Sequence, residues 1–403
     1  MSWSRKVLDL PSLLDSVTDD RPRPRISTLA VTRAVFGLFV SRVGSLNALE
    51  QTRLSRFWRT WLGCGLPSAD SLGRIASRMD PDSLRHVLCE LYRHLRGAKA
   101  LEPTAHGLMA LVLDGHESHS SYLQHCPGCL ERRVKTRHGY RTQYYHRTVV
   151  AMLLTQPWPL LLDLEPFQAG DTEIDAASRL LKRVLANYPR AFDVVLGDAL
   201  YTEPSIYRLL LENHKHIVTV LKRNTPNLLD EARRLLQGPA HHVLPRLGGD
   251  RLVWDLEGFE VGSPAPCPVR VLRSSECSTI QRQIDRQPET ILSEWFWVTT
   301  LSQHRAPTAA AIKLAHARWD IENRGFLETA CRWHVDHIYR HEPTAIVCFT
   351  LISMIAYNVF YFFYFRNLHP SRRAGISSLH LARCIAAEIY GAPLQPQNQT
   401  RGP

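Results

Sequence analysis

Near its end the chain carries an unbroken apolar run, AIVCFTLISMIAYNVFYFFYF from Ala345 to Phe365, and such a run must either cross a bilayer or be buried by the rest of the protein. It meets the length rule of ~20 residues for a membrane span. Yet Thr350, Ser353 and Asn358 place hydrogen-bonding groups inside it, its tyrosines are spread along it rather than gathered at its ends, and no second span accompanies it. Those features favour a core helix wrapped by other elements. A protein with no membrane partner is the expectation; a membrane-anchored one is the rival. The first residues, MSWSRKVLDLPSLLDSV, hold charge but no apolar stretch leading to a small-residue cleavage site, so export is not expected.

At 403 residues there is material for two or three packed units. From Leu29 to Leu101 apolar residues recur at helical spacing, as in TRAVFGLFVSRVGSL and SLGRIASRMDPDSLRHVLCELYRHL, which predicts an all-helical N-terminal unit over 1–103. Ser68 and Asp80-Pro81 suit helix starts. Arg53, Arg56 and Arg59 lie at helical intervals beside Trp58 and Trp61, a basic and aromatic face that is either a phosphate contact or a solvated surface.

Beyond Pro103 the texture changes to short apolar runs. LMALVLD, YYHRTVVAMLLT and PLLLDLE read as three successive strands, followed by the helix TEIDAASRLLKRVLANY, the strand FDVVLGD, the helix EPSIYRLLLENH and the strand HIVTVLK. Three hairpin-connected strands feeding a parallel alternation is the order of an α/β ribonuclease-H-like mixed sheet, expected over 104–222 and resuming over 294–340. Between these parts, alternating stretches such as RLVWDLEGFEV and CPVRVLRSS predict a β-rich insertion over 223–293. WFWVTTL makes one more strand, and PTAAAIKLAHARWDIENRGFLETACRWH one long helix from near Pro307. C-terminal helices and a loose tail, LQPQNQTRGP, complete 341–403.

Three acids suit metal-assisted phosphoryl transfer, which needs carboxylates converging from separate elements. Asp114 ends LMALVLD and Asp198 ends FDVVLGD. If those strands are parallel neighbours, both side chains emerge at one end of the sheet. Glu322 lies in the long helix, one turn after Arg318, so the guanidinium can hold that carboxylate or a phosphate.

GDALYT, LKRN and RWDIENRGF, with a downstream Trp and DH, resemble the insertion-sequence-4 family of DDE transposases from about Leu108 to Phe363. The resemblance implies that Asp114, Asp198 and Glu322 are the three catalytic acids holding two Mg2+ ions, with Mn2+ as a substitute, and that Arg318 is the signature arginine. The family pattern Y-x2-R-x3-E-x6-K is broken here by Ala315 and Thr329, leaving Arg324 and Arg332 as stand-ins for the missing lysine; Lys222 in LKRN is a further DNA contact. It also implies cleavage of terminal inverted repeats through a hairpin and joining to target DNA, by a homodimer on double-stranded DNA. Trp254, Trp295 and Trp297 are candidates to stack on a flipped base, with core packing the competing role for at least two. The signature departures make a catalytically inactive or repurposed DNA-binding derivative the alternative; a nuclease that cuts without joining is another.

A second constellation, DGHESHSSYLQHCPGCLERR, contains half of a zinc knuckle in Cys126 and Cys129, with His119, His125, His138 and His146 near enough to complete it. Either the turn is unmetallated or a structural Zn2+ orders the loop after Asp114. Glu117, Glu165, Asp171 and Glu173 also lie close to the catalytic strands and are read as solvated loop acids. Lys+Arg 49 against Asp+Glu 38 gives a net charge of +11, much of it arginine, which suits a nucleic-acid backbone. Nine scattered cysteines argue against a secreted disulfide framework, and a bacterial, cytoplasmic and nucleoid-associated location is expected.

Overall fold

The computed structural model describes residues 2–246, 249–260, 267–281 and 287–391. The expected tail, LQPQNQTRGP, lies outside them.

The sheet grows from strands whose apolar content matches their depth. β1 (Ala110–Ser121), β2 (Leu130–Thr136), β3 (Gly139–Leu154), β4 (Leu160–Pro166), β5 (Val194–Gly197), β6 (His216–Val220), β7 (His242–Leu244), β8 (Arg251–Phe259), β9 (Val269–Gln281) and β10 (Pro288–Thr299) form one sheet in the order β2-β3-β1-β5-β6-β10-β9-β8-β7, with β4 also on β3. β1 runs antiparallel to β3 and parallel to β5, and β5 runs parallel to β6. β5, VVLG, is buried throughout, as a central parallel strand covered on both faces must be.

Several expectations change. β1 does not stop at Asp114 but continues to Ser121, paired with β3 all the way. β2, LERRVKT, was not anticipated: its charged residues show no apolar alternation, and β3 alone holds it. The insertion opens with a helix, Pro226–Leu235, and its strands are not a separate sheet, because β10 pairs with β6 through Trp297–Thr299 and with β9 along its whole length. The long helix is resolved into Thr308–Ala317, a π-helical segment Ile321–Phe326, and Leu327–Trp333. Widened turns of this kind recur at functional sites.

The apolar run forms a helix, Pro343–Phe362, long and apolar enough to span a membrane by composition, but most of it is covered by the helices Thr28–Val40 and Pro81–Gly97 and by β4. Asn358 explains its own presence there. Its amide oxygen accepts from the Leu161 N–H at 3.0 Å and its amide nitrogen donates to the Leu161 carbonyl at 2.8 Å, so a buried side chain completes the backbone bonding of β4. Thr350 and Ser353 donate to carbonyls of their own helix, those of Ile346 and Thr350.

The N-terminal segment is helical as expected, with Ser68 capping Ser71 N–H and Asp80 capping ahead of Pro81. The basic and aromatic face separates, however. Trp58 and Trp61 turn into the core, bonded to Thr52 and to the Arg33 carbonyl, while Arg53, Arg56 and Arg59 remain outside.

Candidate active site

Parallel pairing of β1 with β5 ends at Val112 opposite Leu196, and Asp198, which follows β5, lies near enough to Asp114 for its charge to act on that carboxyl. Asp198 begins a short turn, Ala199–Tyr201, and accepts from the Leu200 N–H at 2.8 Å. Arg318 ties the third acid in. One guanidinium nitrogen is 3.7 Å from Asp114 Oδ2 and the other 3.3 Å from Glu322 Oε1. Arg318 is itself largely buried, whereas half of the Glu322 side chain is exposed. Three acids far apart in sequence are thus brought to one end of the sheet.

Burial pushes the Asp114 carboxyl up to about 6; the Arg318 cation opposes this, while the negative charges of Glu173 and Asp198 add to it. A half-buried carboxylate short of positive charge, beside two more acids, fits a hard divalent cation better than it fits the single arginine present.

A fourth acid, Glu173, was placed in a solvated loop by sequence reasoning, and the structure corrects this. It is buried in the first turn of the helix Glu173–Asn187, bonded to Arg147 at 2.6 Å and accepting from the Tyr201 hydroxyl at 3.0 Å. The GDALYT motif therefore has a structural logic beyond Asp198. Tyr201 is fully buried and lies so close to Gly197 that a Cβ there would be 2.7 Å from its ring. Asn224 of LKRN donates to the Ala199 carbonyl at 2.6 Å, fastening the loop after β6 to the Asp198 turn. His116, two residues after Asp114, carries no mark of a role in the sequence; it bonds Asp336 at 2.7 Å and stacks on Phe326 at 4.5 Å, joining β1 to the Glu322 helix.

The remaining candidates divide. Lys222 is exposed just past β6, which runs parallel to β5 and so ends on the same side as Asp198. Arg324 turns to Asp320 and to the Pro157 carbonyl, and Arg332 pairs with Glu328. Trp254, a candidate for base stacking, is instead buried, donates to the Gly238 carbonyl and is covered by Arg273, so its ring packs the sheet extension. Trp297 is buried as well. Trp295 is half-buried, stacked on Trp297, and meets Trp319 edge-on at 4.9 Å, while Trp319 in turn lies under the Arg318 guanidinium at 5.2 Å. Glu117 pairs with Arg132, Glu165 with Arg179 and Arg183, and Asp171 with Arg179, so none of them is a free loop acid. The two signature departures face inward: Ala315 is buried and the Thr329 hydroxyl donates to the Gly325 carbonyl.

Further along β1 and β3, Cys126 and Cys129 meet His146 and, from more than half the chain away, His341. His119, opposite His146 in the β1–β3 register, is outside this group of four, although its ring contacts that of His341. His125 stacks on Tyr144, and His138 lies at the β2–β3 turn.

Carboxylates gathered round the Arg318 guanidinium at one end of a mixed sheet, in a basic chain, are the donor type that hard divalent cations take in phosphoryl-transfer enzymes. The comparison with known families agrees. The transposase DDE domain model matches residues 115–359, which takes in Asp198, Arg318 and Glu322 and begins one residue after Asp114. The chain belongs to this family and is a DDE transposase, a DNA-binding enzyme that uses divalent metal. No curated protein matches it.

Proposed function

We propose that the protein is a transposase of the insertion-sequence-4 family, built on a ribonuclease-H-like core, that cuts the ends of its element and joins them to target DNA. The strand order β4-β3-β1-β5-β6, with antiparallel pairing up to β1 and parallel pairing beyond it, supports that core. The observation that carries the reading is the convergence of Asp114 and Glu322 on Arg318, with Asp198 near enough for its charge to act on Asp114.

Asp114, Asp198 and Glu322 would hold two Mg2+ ions, or Mn2+ in their place. Such ions lower the pKa of an attacking water and stabilise the leaving oxygen of a phosphodiester. Asp114, on β1, and Asp198, capping the turn after β5, supply two of the donors, and Glu322, on a widened helical turn and half exposed, supplies the third. With the acids neutralised, Arg318 becomes free to take a phosphate oxygen, held in place by Trp319. Lys222 borders the same end of the sheet and suits the DNA backbone. Trp295 suits stacking on an extruded base during hairpin formation better than Trp254 or Trp297, because part of it reaches solvent. A homodimer would bring two element ends together in the bacterial cytoplasm.

Cleavage of a duplex carrying the cognate terminal repeat, with Mg2+, tests the reading. The wild type is expected to nick at the 3′ end of the element and to join the freed hydroxyl to a second DNA; equal cutting by Asp198→Asn would overturn the assignment. Thr329 and Ala315, turned inward where the family pattern has Lys and Tyr, favour a second reading as a DNA-binding derivative without catalysis. That protein would bind the repeat and cut nothing.

A further inference from the structure

The Cys126, Cys129, His146 and His341 side chains have no place in phosphoryl transfer, yet they converge as tightly as the acids do. We propose that they form a tetrahedral Cys2His2 zinc site which ties the loop between β1 and β2 to the segment joining the Glu322 helix to the apolar helix Pro343–Phe362.

The distances carry this. Tetrahedral zinc with bonds of about 2.3 Å to sulfur and about 2.05 Å to nitrogen requires S···S near ~3.8 Å, N···N near ~3.3 Å and S···N near ~3.5 Å. Here the two sulfurs are 3.8 Å apart and the His146 and His341 Nε2 atoms 3.4 Å apart. The S···N separations are 3.4 Å for Cys126 to His146, 3.3 Å for Cys129 to His146 and 3.3 Å for Cys129 to His341. All four ligand atoms, two sulfurs and two imidazole nitrogens, lie within 4.8 Å of one another. Two thiolates and two neutral imidazoles in tetrahedral array select zinc over magnesium, and a full set of four protein ligands leaves no open position for catalysis.

The knuckle is also shaped for the task. The Cys129 N–H donates to the Cys126 carbonyl at 3.0 Å and the Cys126 N–H to Cys129 Sγ at 3.3 Å, closing the turn around its sulfurs. Gly128 presses on Pro343 so closely that a Cβ would lie 2.8 Å from the proline ring, so the turn is seated against the start of the apolar helix. His146 stands on β3, paired with the strand that carries Asp114. His341 follows the segment in which Asp336 bonds His116. One ion would therefore fasten the Asp114 strand pair to the chain that leaves the Glu322 helix. It is a staple between the two halves of the catalytic acid set, and it binds nothing that reacts.

The test is metal content of the full-length protein, purified without chelator and read by elemental analysis, together with Co2+ substitution. One zinc per chain is expected, and the Co2+ form should show tetrahedral d–d bands with thiolate charge-transfer absorption. His341→Ala and Cys126→Ser should each lower retained zinc at least tenfold, while His119→Ala and Asp198→Asn should keep it. The last variant separates this claim from the catalytic one, since it loses cleavage but not zinc. A wild type that neither holds zinc nor yields the Co2+ spectrum, or a His341→Ala protein that retains its zinc, would overturn the proposal.

Discussion

Two clusters of candidate metal ligands border the β1–β3 strand pair, and they differ in almost every physical respect. Around Asp114 the donors are carboxylates; one is half exposed, and a guanidinium now occupies the space between two of them. Around Cys129 the donors are sulfur and imidazole, four in number, packed under a proline. The first is open and short of positive charge, which suits an ion that must admit substrate. The second is complete, which suits an ion that only holds chain segments together. The comparison teaches that openness and donor hardness, rather than the number of acids or histidines nearby, separate a site that works from a site that fastens.

The comparison breaks if the open site has the wrong third acid. Glu322→Gln is expected to lower the rate of Mg2+-dependent cleavage by about 1000-fold, whereas Glu173→Gln, whose carboxylate is already committed to Arg147 and Tyr201, should lower it by less than about 10-fold. Single-turnover cleavage of repeat DNA measures both. Arg318→Ala comes next. Losing the guanidinium should slow cleavage about 100-fold and yet lower the Mg2+ concentration that half-saturates the rate, because the acids lose the cation that now competes for them.

Stability in the absence of metal gives a third handle. Asp114 has a folded-state pKa near 6, above the ordinary carboxylate value, so the native protein holds its proton more tightly than the unfolded chain and stability falls as pH rises from about 4 through 6. Asp114→Asn removes that penalty. Denaturant unfolding in chelator should find the variant more stable by about 2 kcal/mol at pH 7.5, with no difference at pH 3.5. Equal stability at both pH values would show that the carboxylate is not strained by its neighbours.

The smallest effects compare two glycines, one at each cluster. In Gly128→Ala the new methyl meets a rigid proline ring, and unfolding should be easier by about 1–2 kcal/mol. In Gly115→Ala it meets the buried Glu173 carboxylate at 2.7 Å, which Arg147 and Tyr201 hold in place, so unfolding should be easier by about 1 kcal/mol and cleavage should fall several-fold.

Much of this was legible in the sequence because the signals are local. Helix caps at Ser68 and Asp80, the apolar strands bearing Asp114 and Asp198, and the spacing of Arg318 and Glu322 need only a few adjacent residues to be read. What escaped depends on contacts across the chain. β2 is polar and borrows its structure from β3; the insertion continues the sheet only because β10 finds β6. Trp58, Trp61 and Trp254 carry no mark that they turn inward, and Glu173 acquires meaning only when Tyr201 and Arg147 close on it. Cys126 and Cys129 announced half of a site, and His146 was among several neighbours in sequence, but nothing near them pointed to His341.

The central claim is best tested by locating the ions. Crystals of the protein bound to repeat DNA, soaked in Mn2+ and measured at its absorption edge, should show anomalous peaks about 3.5–4 Å apart, bounded by Asp114, Asp198 and Glu322. Peaks ligated by Glu173 with Glu322 pointing into solvent, or no peak beside Asp198, would contradict the account.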